Sequence, residues 1–140
     1  MKNIIVFSFA LILLLGGISC NAQSAKKEET KAVAKGKVEV VYFHFTRRCM
    51  TCNAVETETK KSLEALYSPQ VKAGKITFKS INLDETASKA AAEKWGAEGQ
   101  SLLVMSGGKR LDLTSQGFMY AVSSPEKLKA ELKKAIDPLL

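Results

Sequence analysis

The hydrophobic positions of the chain fall into short continuous runs, which predict strands. Val38 to Phe45 is apolar at nearly every position, a pattern typical of a strand that is covered on both faces. Lys75 to Leu83 is a second strand candidate. Ser101 to Met105 is a third, and a Gly-Gly turn connects it to the alternating segment Arg110 to Thr114. Because paired glycines suit a tight turn, we expect the last two strands to form a β-hairpin.

Between and after the strands, three segments carry apolar residues at helical spacing. The first runs from Asn53 to Leu66, and Ser68-Pro69 is expected to stop it. The second is the alanine-rich segment Ala87 to Trp95, and the third follows Pro125 near the C-terminus. The segment that contains Phe118 to Tyr120 is predicted to be a loop.

The predicted order of elements is β-α-β-α-β-β-α, which defines an α/β protein with a mixed central sheet flanked by helices. The strands connected through a helix should be parallel with a right-handed crossover, and the hairpin strands antiparallel. A length of 140 residues with 46% hydrophobic content suits one packed domain. We assign residues 37–140 to it.

The first residues predict export rather than a part of the fold. Ile4 to Leu15 is almost wholly apolar and follows Lys2, as in a signal peptide, and it is short for a membrane span of about 20 residues. Gly17-Ile18-Ser19-Cys20 then resembles a bacterial lipoprotein signal, although Gly17 stands where a leucine is usual. This resemblance implies that residues 1–19 are removed and that Cys20 carries a lipid.

The lipoprotein assignment implies a location on the periplasmic face of a bacterial membrane. Residues 20–36 are polar and charged up to Val33 and predict a flexible tether. The alternative is ordinary cleavage near Ala22, which would leave a soluble periplasmic or secreted protein. The formal net charge is +7, but the lysines are spread along the chain without an aromatic-basic stripe, so nucleic acid is not an expected partner.

Cys49-Met50-Thr51-Cys52 lies between the first predicted strand and the first predicted helix. If Cys20 is lipidated, Cys49 and Cys52 are the only free thiols and can form a disulfide only with each other. The N-terminus of a helix also favours the thiolate form of a nearby cysteine. With this motif at this junction, the element order resembles the thioredoxin-like superfamily. The resemblance implies a redox-active disulfide without another cofactor, with Cys49 as nucleophile and Cys52 as resolving thiol. The implied partners are protein thiols or disulfides and an electron-donor or electron-acceptor protein.

Arg47, Arg48 and His44 lie just upstream of the pair. The arginines can lower the pKa of Cys49, select an acidic partner, or simply be solvated, since exposed charges are strongly screened. His44 is the only histidine, and a packed, hydrogen-bonded side chain is favoured over a proton-transfer or metal-binding role.

The motif departs from the thioredoxin pattern in two respects. Arg48, Met50-Thr51 and Phe43 stand where thioredoxins carry tryptophan, Gly-Pro and a buried acid. Gln100 or Ser101 stands at the substrate loop, in place of the family's cis-proline.

The missing proline leaves the thiols more accessible, which keeps two other functions open. One is a soft-metal lipoprotein that binds copper or an iron–sulfur cluster through Cys49, Cys52 and His44. The other is a non-catalytic thioredoxin-like interaction domain.

Overall fold

A computed structural model describes residues 36–140, which contain a four-stranded mixed sheet in the order β2-β1-β3-β4. β1 (Val38–His44) is central: it pairs in parallel with β2 (Ile76–Asn82) and antiparallel with β3 (Ser101–Ser106). β4 (Lys109–Asp112) pairs antiparallel with β3 and forms one edge. The segment from Phe45 to Cys49, called the cysteine turn below, follows the C-terminal end of β1.

Helices flank the sheet, and the first of them connects the two parallel strands along the chain. They are α1 (Met50–Lys72), α2 (Ser88–Trp95), α3 (Thr114–Tyr120) and α4 (Pro125–Ile136), followed by a 3₁₀ turn at Asp137–Leu139. Among the residues that the structure describes, no helix is long and apolar enough to cross a membrane.

The central position of β1 explains its uninterrupted apolar sequence. Val40 and Tyr42 belong to a core cluster with residues of α1 and α4, whereas Val41 and Phe43 belong to a second cluster with Trp95 of α2. All four of these β1 side chains are fully buried. Because successive strand residues point to opposite faces, each face of β1 contributes to a different core layer.

The predicted mixed central sheet flanked by helices is confirmed, including the hairpin, and the structure adds one helix, α3, to the predicted order. At the hairpin turn, Gly107 and Gly108 have φ angles of 53° and 83°, the pair of positive values that a two-residue turn of matching twist requires. Gly96 has a φ of 61° and ends α2, as residues in this conformation commonly do. The signal segment, Cys20 and the predicted tether up to residue 35 lie outside the described residues.

Two details of the predicted helices are wrong. The segment with Phe118 to Tyr120 is part of α3 and not a loop. α1 does not stop at Ser68-Pro69 but continues to Lys72, with a non-helical residue at Tyr67 (φ −133°, ψ 28°). Proline lacks the N–H that a helix interior needs but fits the first turn of a new helical segment, so the chain kinks before Pro69 and resumes its helix.

Candidate active site at the first strand-to-helix turn

Cys49 and Cys52 occupy different positions in the first turn of α1. Cys49 is the N-cap residue, with extended backbone angles (φ −80°, ψ 171°), and its side chain is exposed. Cys52 lies inside the first turn and is only 4% exposed. The pair therefore has one thiol that a partner can reach and one that is enclosed by the protein.

The two sulfur atoms lie 2.7 Å apart. The backbone N–H of Cys52 also donates a hydrogen bond to Cys49 Sγ at 3.3 Å. Hydrogen bonds from the Cys52 thiol, and then from the Cys52 backbone, lower the pKa of Cys49. This is the expected effect of unpaired N–H groups at a helix start on an anionic sulfur. Cys49 is thus an accessible thiol whose ionisation these hydrogen bonds favour.

Gln100, one of the two residues predicted at the substrate loop, lies beside the buried thiol. Cys52 Sγ lies 3.6 Å from Gln100 Oε1, and the peptide bonds of the described residues are all trans. The hydroxyl of neighbouring Ser101 donates instead to the Gly99 carbonyl oxygen at 3.0 Å. Of the two predicted loop residues, Gln100 is the one whose side chain contacts the cysteine pair.

Arg48 is held within the protein rather than free in solvent. Its guanidinium forms an ion pair with Glu56 of α1 and hydrogen bonds with His44. Burial alone would raise the pKa of Glu56, but hydrogen bonds from Lys60 and Arg48 outweigh it and lower the value to about 2. The negative charge of Glu56 therefore offsets much of the positive charge that Arg48 brings next to Cys49.

Arg47 differs from its neighbour, since its side chain is exposed and forms no ion pair within residues 36–140. Its charge is screened by water, which leaves it suited to contact with an acidic partner surface. Sequence patterns do not separate the two arginines, because Glu56, the partner of Arg48, lies eight positions further along the chain.

His44 is packed and hydrogen-bonded, the arrangement favoured from the sequence. It is 5% exposed, and its Nδ1 lies 3.0 Å from the Phe45 carbonyl oxygen. Arg48 lies against the same ring, with Nη2 next to Nε2 and Nε 3.0 Å from Nδ1. Since one ring nitrogen cannot donate and accept together, the tautomer with a proton on Nδ1 satisfies both the carbonyl and Arg48 Nη2.

The structure does not bring His44 and the two cysteines together as a set of metal ligands. Over residues 36–140, no group of three or more histidine, cysteine, aspartate or glutamate side chains is arranged to hold a metal ion. A soft metal at this site would have the two cysteine sulfurs as its ligands from this part of the chain.

The position of the missing acid is filled by an apolar side chain. Phe43 is fully buried and packs with Val41, Trp95 and Leu103. On the opposite face of β1, the hydroxyl of Tyr42 is buried and has no hydrogen-bond partner within the described part of the chain. Tyr42 cannot be recognised from the sequence, because an apolar run gives no signal that one of its hydroxyls will be unpaired.

An open cleft of about 480 Å³ adjoins the site at the C-terminal ends of the two parallel strands. Such ends are where ligands commonly bind to open α/β sheets. Its lining combines side chains of β1, of the cysteine turn, of β2 and of the segment up to α2: His44, Arg48, Ser80, Ile81, Asn82, Glu85 and Ser88. The lining is largely polar and includes Arg48, the residue before Cys49.

No protein-family model matches the chain, and no curated protein matches it. Among solved structures, the chain is similar to a thioredoxin of Fasciola hepatica, with 15% sequence identity and a TM-score of 0.44. The alignment covers 76% of this chain and 84% of that chain. The described domain is an α/β domain with a mixed four-stranded sheet, and it carries two adjacent thiols on its first strand-to-helix turn.

Proposed function

We propose that the protein is a thiol–disulfide oxidoreductase that acts through Cys49 and Cys52. The observation that carries the proposal is the asymmetry of the pair: an exposed Cys49 at the helix N-cap and a buried Cys52 whose sulfur is 2.7 Å away. A structural disulfide would not need one thiol exposed and activated, and a ring this small stabilises a fold only slightly.

The reaction transfers two electrons between the pair and a partner disulfide. The Cys49 thiolate attacks one partner sulfur, a mixed disulfide forms, and the other partner sulfur leaves as a thiolate and takes up a proton. Cys52 then loses its proton and attacks Cys49 Sγ. The intramolecular disulfide forms as the second partner thiol departs, so the partner is reduced and the pair oxidised. The same steps in reverse oxidise a partner.

A Cys52→Ser variant should accumulate the mixed disulfide, because Cys49 can still attack but nothing resolves the adduct. We expect partner proteins to appear as adducts that a reductant releases, when the variant is expressed in its host and analysed on non-reducing gels. The matched control is the Cys49→Ser, Cys52→Ser double variant, which should form none. Equal adduct levels in the two variants, or no adducts in either, would contradict the proposal.

We further propose that the protein is exported and held on a bacterial membrane through a lipid on Cys20, with its partners in the periplasm. The support is the apolar segment Ile4 to Leu15 followed by Gly17-Ile18-Ser19-Cys20. Mass spectrometry of the mature N-terminus distinguishes a lipidated Cys20 from a free terminus near Ala22. A Cys20→Ala variant should move the protein from the membrane fraction to the soluble one.

A second candidate function is soft-metal binding by the same two sulfurs. It is favoured by the accessible Cys49 and by Gln100 in place of a proline ring beside the thiols. Elemental analysis of protein reduced and purified without oxygen tests it, with the double Cys→Ser variant as control. Metal bound equally by both proteins, or by neither, removes this function. Complementation of a deletion strain by the double variant would instead support a non-catalytic interaction domain.

A further inference from the structure

Gln100 places a side-chain amide against the buried sulfur of Cys52. Its Oε1 lies 3.6 Å from Cys52 Sγ, and this is the only polar contact that the Gln100 side chain makes within residues 36–140. Gln100 is half-buried and directly precedes β3, 48 positions beyond Cys52, so the fold brings the two together. Because no second contact of this kind fixes the amide, it can turn either its oxygen, an acceptor, or its nitrogen, a donor, toward the sulfur.

The thiol of Cys52 has one proton and two acceptors within reach. Cys49 Sγ lies 2.7 Å from its sulfur and Gln100 Oε1 lies 3.6 Å from it, and the thiol can donate to only one of them at a time. While Cys49 is an anion, the shorter contact takes the proton, and this hydrogen bond lowers the pKa of Cys49. In a mixed disulfide Cys49 carries no negative charge, so the thiol of Cys52 then donates to Gln100.

The titratable groups of this region do not take the proton of Cys52. On β1, the apolar Phe43 fills the position of the missing acid, and burial raises the pKa of Tyr42, so that its hydroxyl stays protonated. On α1, Glu56 lies one turn beyond Cys52, but it is ion-paired with Arg48, and its pKa of about 2 makes it a weak base. The proton of Cys52 therefore goes to solvent, and what the protein supplies is a donor to the thiolate that remains.

We propose that Gln100 is a positioning residue for the resolving step: its Oε1 accepts from the Cys52 thiol before that step, and its Nε2 donates to the Cys52 thiolate during it. The inference rests on the proposed oxidoreductase function. Cys52 loses its proton to solvent, a half-turn of the amide exchanges Oε1 and Nε2, and the thiolate attacks Cys49 Sγ. The bond between Cys49 and the partner sulfur breaks, and the partner leaves as a thiolate that takes up a proton from solvent. A proline side chain, which has neither donor nor acceptor, can play neither part.

The test times the two thiols separately in a full chain that carries Cys20→Ala, so that Cys49 and Cys52 are its only cysteines. The reduced protein is mixed with an excess of the aromatic disulfide DTNB. Attack by Cys49 releases one coloured thiolate at a rate proportional to the DTNB concentration. Attack by Cys52 on the resulting mixed disulfide releases a second one at a rate that does not depend on that concentration. The two phases therefore report on the two thiols independently.

Gln100→Met removes the donor and the acceptor at a similar side-chain length, and it should leave the first phase unchanged. The second phase should slow about tenfold at neutral pH, since a hydrogen bond to an ion contributes roughly that factor, and its pH midpoint should rise. Gln100→Glu keeps the shape and an acceptor but removes the donor. Its second phase should slow at least as much, because the carboxylate repels the Cys52 thiolate, and this variant decides the matter if Gln100→Met does not fold. A second phase at the unsubstituted rate in either variant would overturn the inference.

Gln116→Met is the matched control. Gln116 is also a half-buried glutamine, it lies on α3, and its side chain makes no hydrogen bond with either cysteine within the described residues, so both phases should be unchanged. Equal slowing of both phases in Gln100→Met, or the same slowing of the second phase in Gln116→Met, would contradict a specific role of Gln100. Absence of a Cys49-dependent first phase in the Cys20→Ala protein would instead overturn the proposed function, and this inference with it.

Discussion

Arg47 and Arg48 show how two identical neighbours can act differently on the same thiol. Arg48 is 23% exposed and paired with Glu56, which is itself 15% exposed and also bound by Lys60. Arg47 is exposed and screened. The charge of Arg48 is therefore offset as long as Glu56 is ionised, whereas Arg47 has no such partner within residues 36–140.

Replacing Glu56 by glutamine should make the cysteine pair more oxidising. Without the carboxylate, the charge of Arg48 is no longer offset and stabilises the Cys49 thiolate, which favours the reduced form of the pair. We expect the redox potential to rise by about 10 to 30 mV, measured by equilibration with glutathione. Glu58→Gln is the control, because Glu58 pairs with Lys61 on the same helix. Equal potentials in the two variants would count against this account.

At the scale of the elements, α1 is connected both to the active site and to the C-terminal helix. Its N-cap is Cys49, and at its kink the Tyr67 hydroxyl donates to Asp137 Oδ1 at 2.5 Å. Tyr67 is 4% exposed and belongs to the same core cluster as Leu128, Leu132 and Ile136 of α4. The kink thus turns a tyrosine toward the end of α4.

Removing that hydroxyl should destabilise the fold without changing the redox chemistry. In Tyr67→Phe the hydrogen bond to a carboxylate is lost while the ring still packs. We expect the free energy of unfolding to fall by about 1 to 2 kcal/mol, measured by urea denaturation. The redox potential should stay at the wild-type value. A wild-type unfolding curve would show that the contact contributes nothing to stability.

The sequence predicts those elements whose signals are local. The apolar run of β1 and the Gly-Gly turn each specify their structure over a few residues, and both predictions are confirmed. Thr114 to Tyr120 has a central glycine and no apolar stripe, and its helix depends on packing. A Cβ at Gly117 would lie 3.3 Å from Val55 Cγ1 and 3.4 Å from Leu102 Cδ2, an approach that no local pattern reveals.

The same distinction holds within the site. The spacing of Cys49 and Cys52 and the position of Gln100 follow from the order of elements along the chain. The pairing of Arg48 with Glu56 and the unpaired hydroxyl of Tyr42 depend on the rotation of α1 over β1. Such contacts are fixed by tertiary packing, so sequence patterns cannot specify them.

At the scale of the whole molecule, the positive net charge is expected to make the fold less stable at low pH. The formal charge is +7 at pH 7, and protonating carboxylates adds to the repulsion. The pKa values of Asp84 and Asp137 are lowered too, mainly by hydrogen bonds from Thr46 and Lys133. Carboxylates that are ionised and bonded in the folded state therefore stabilise it at neutral pH.

Acid unfolding should accordingly depend on Glu56. Its folded pKa of about 2 lies below its ordinary value of 4.5, so its contribution is complete above about pH 4.5 and is lost as the pH falls toward 2. After allowance for solvent screening, the loss should be roughly 1 to 2 kcal/mol. Urea denaturation across this pH range should give a steeper decline for the wild type than for Glu56→Gln. Parallel declines would exclude this role.

The direction of β1 places the point where the chain enters the domain and the cysteine turn at opposite ends of the strand. The strand begins at Val38 and delivers the chain to the cysteine turn after His44, six residue steps or roughly 20 Å away. The chain that precedes residue 36 therefore joins the domain at the end opposite the thiols. If a lipid on Cys20 holds the domain, as proposed, the attachment reaches the end of β1 that is opposite Cys49 and leaves the thiols uncovered.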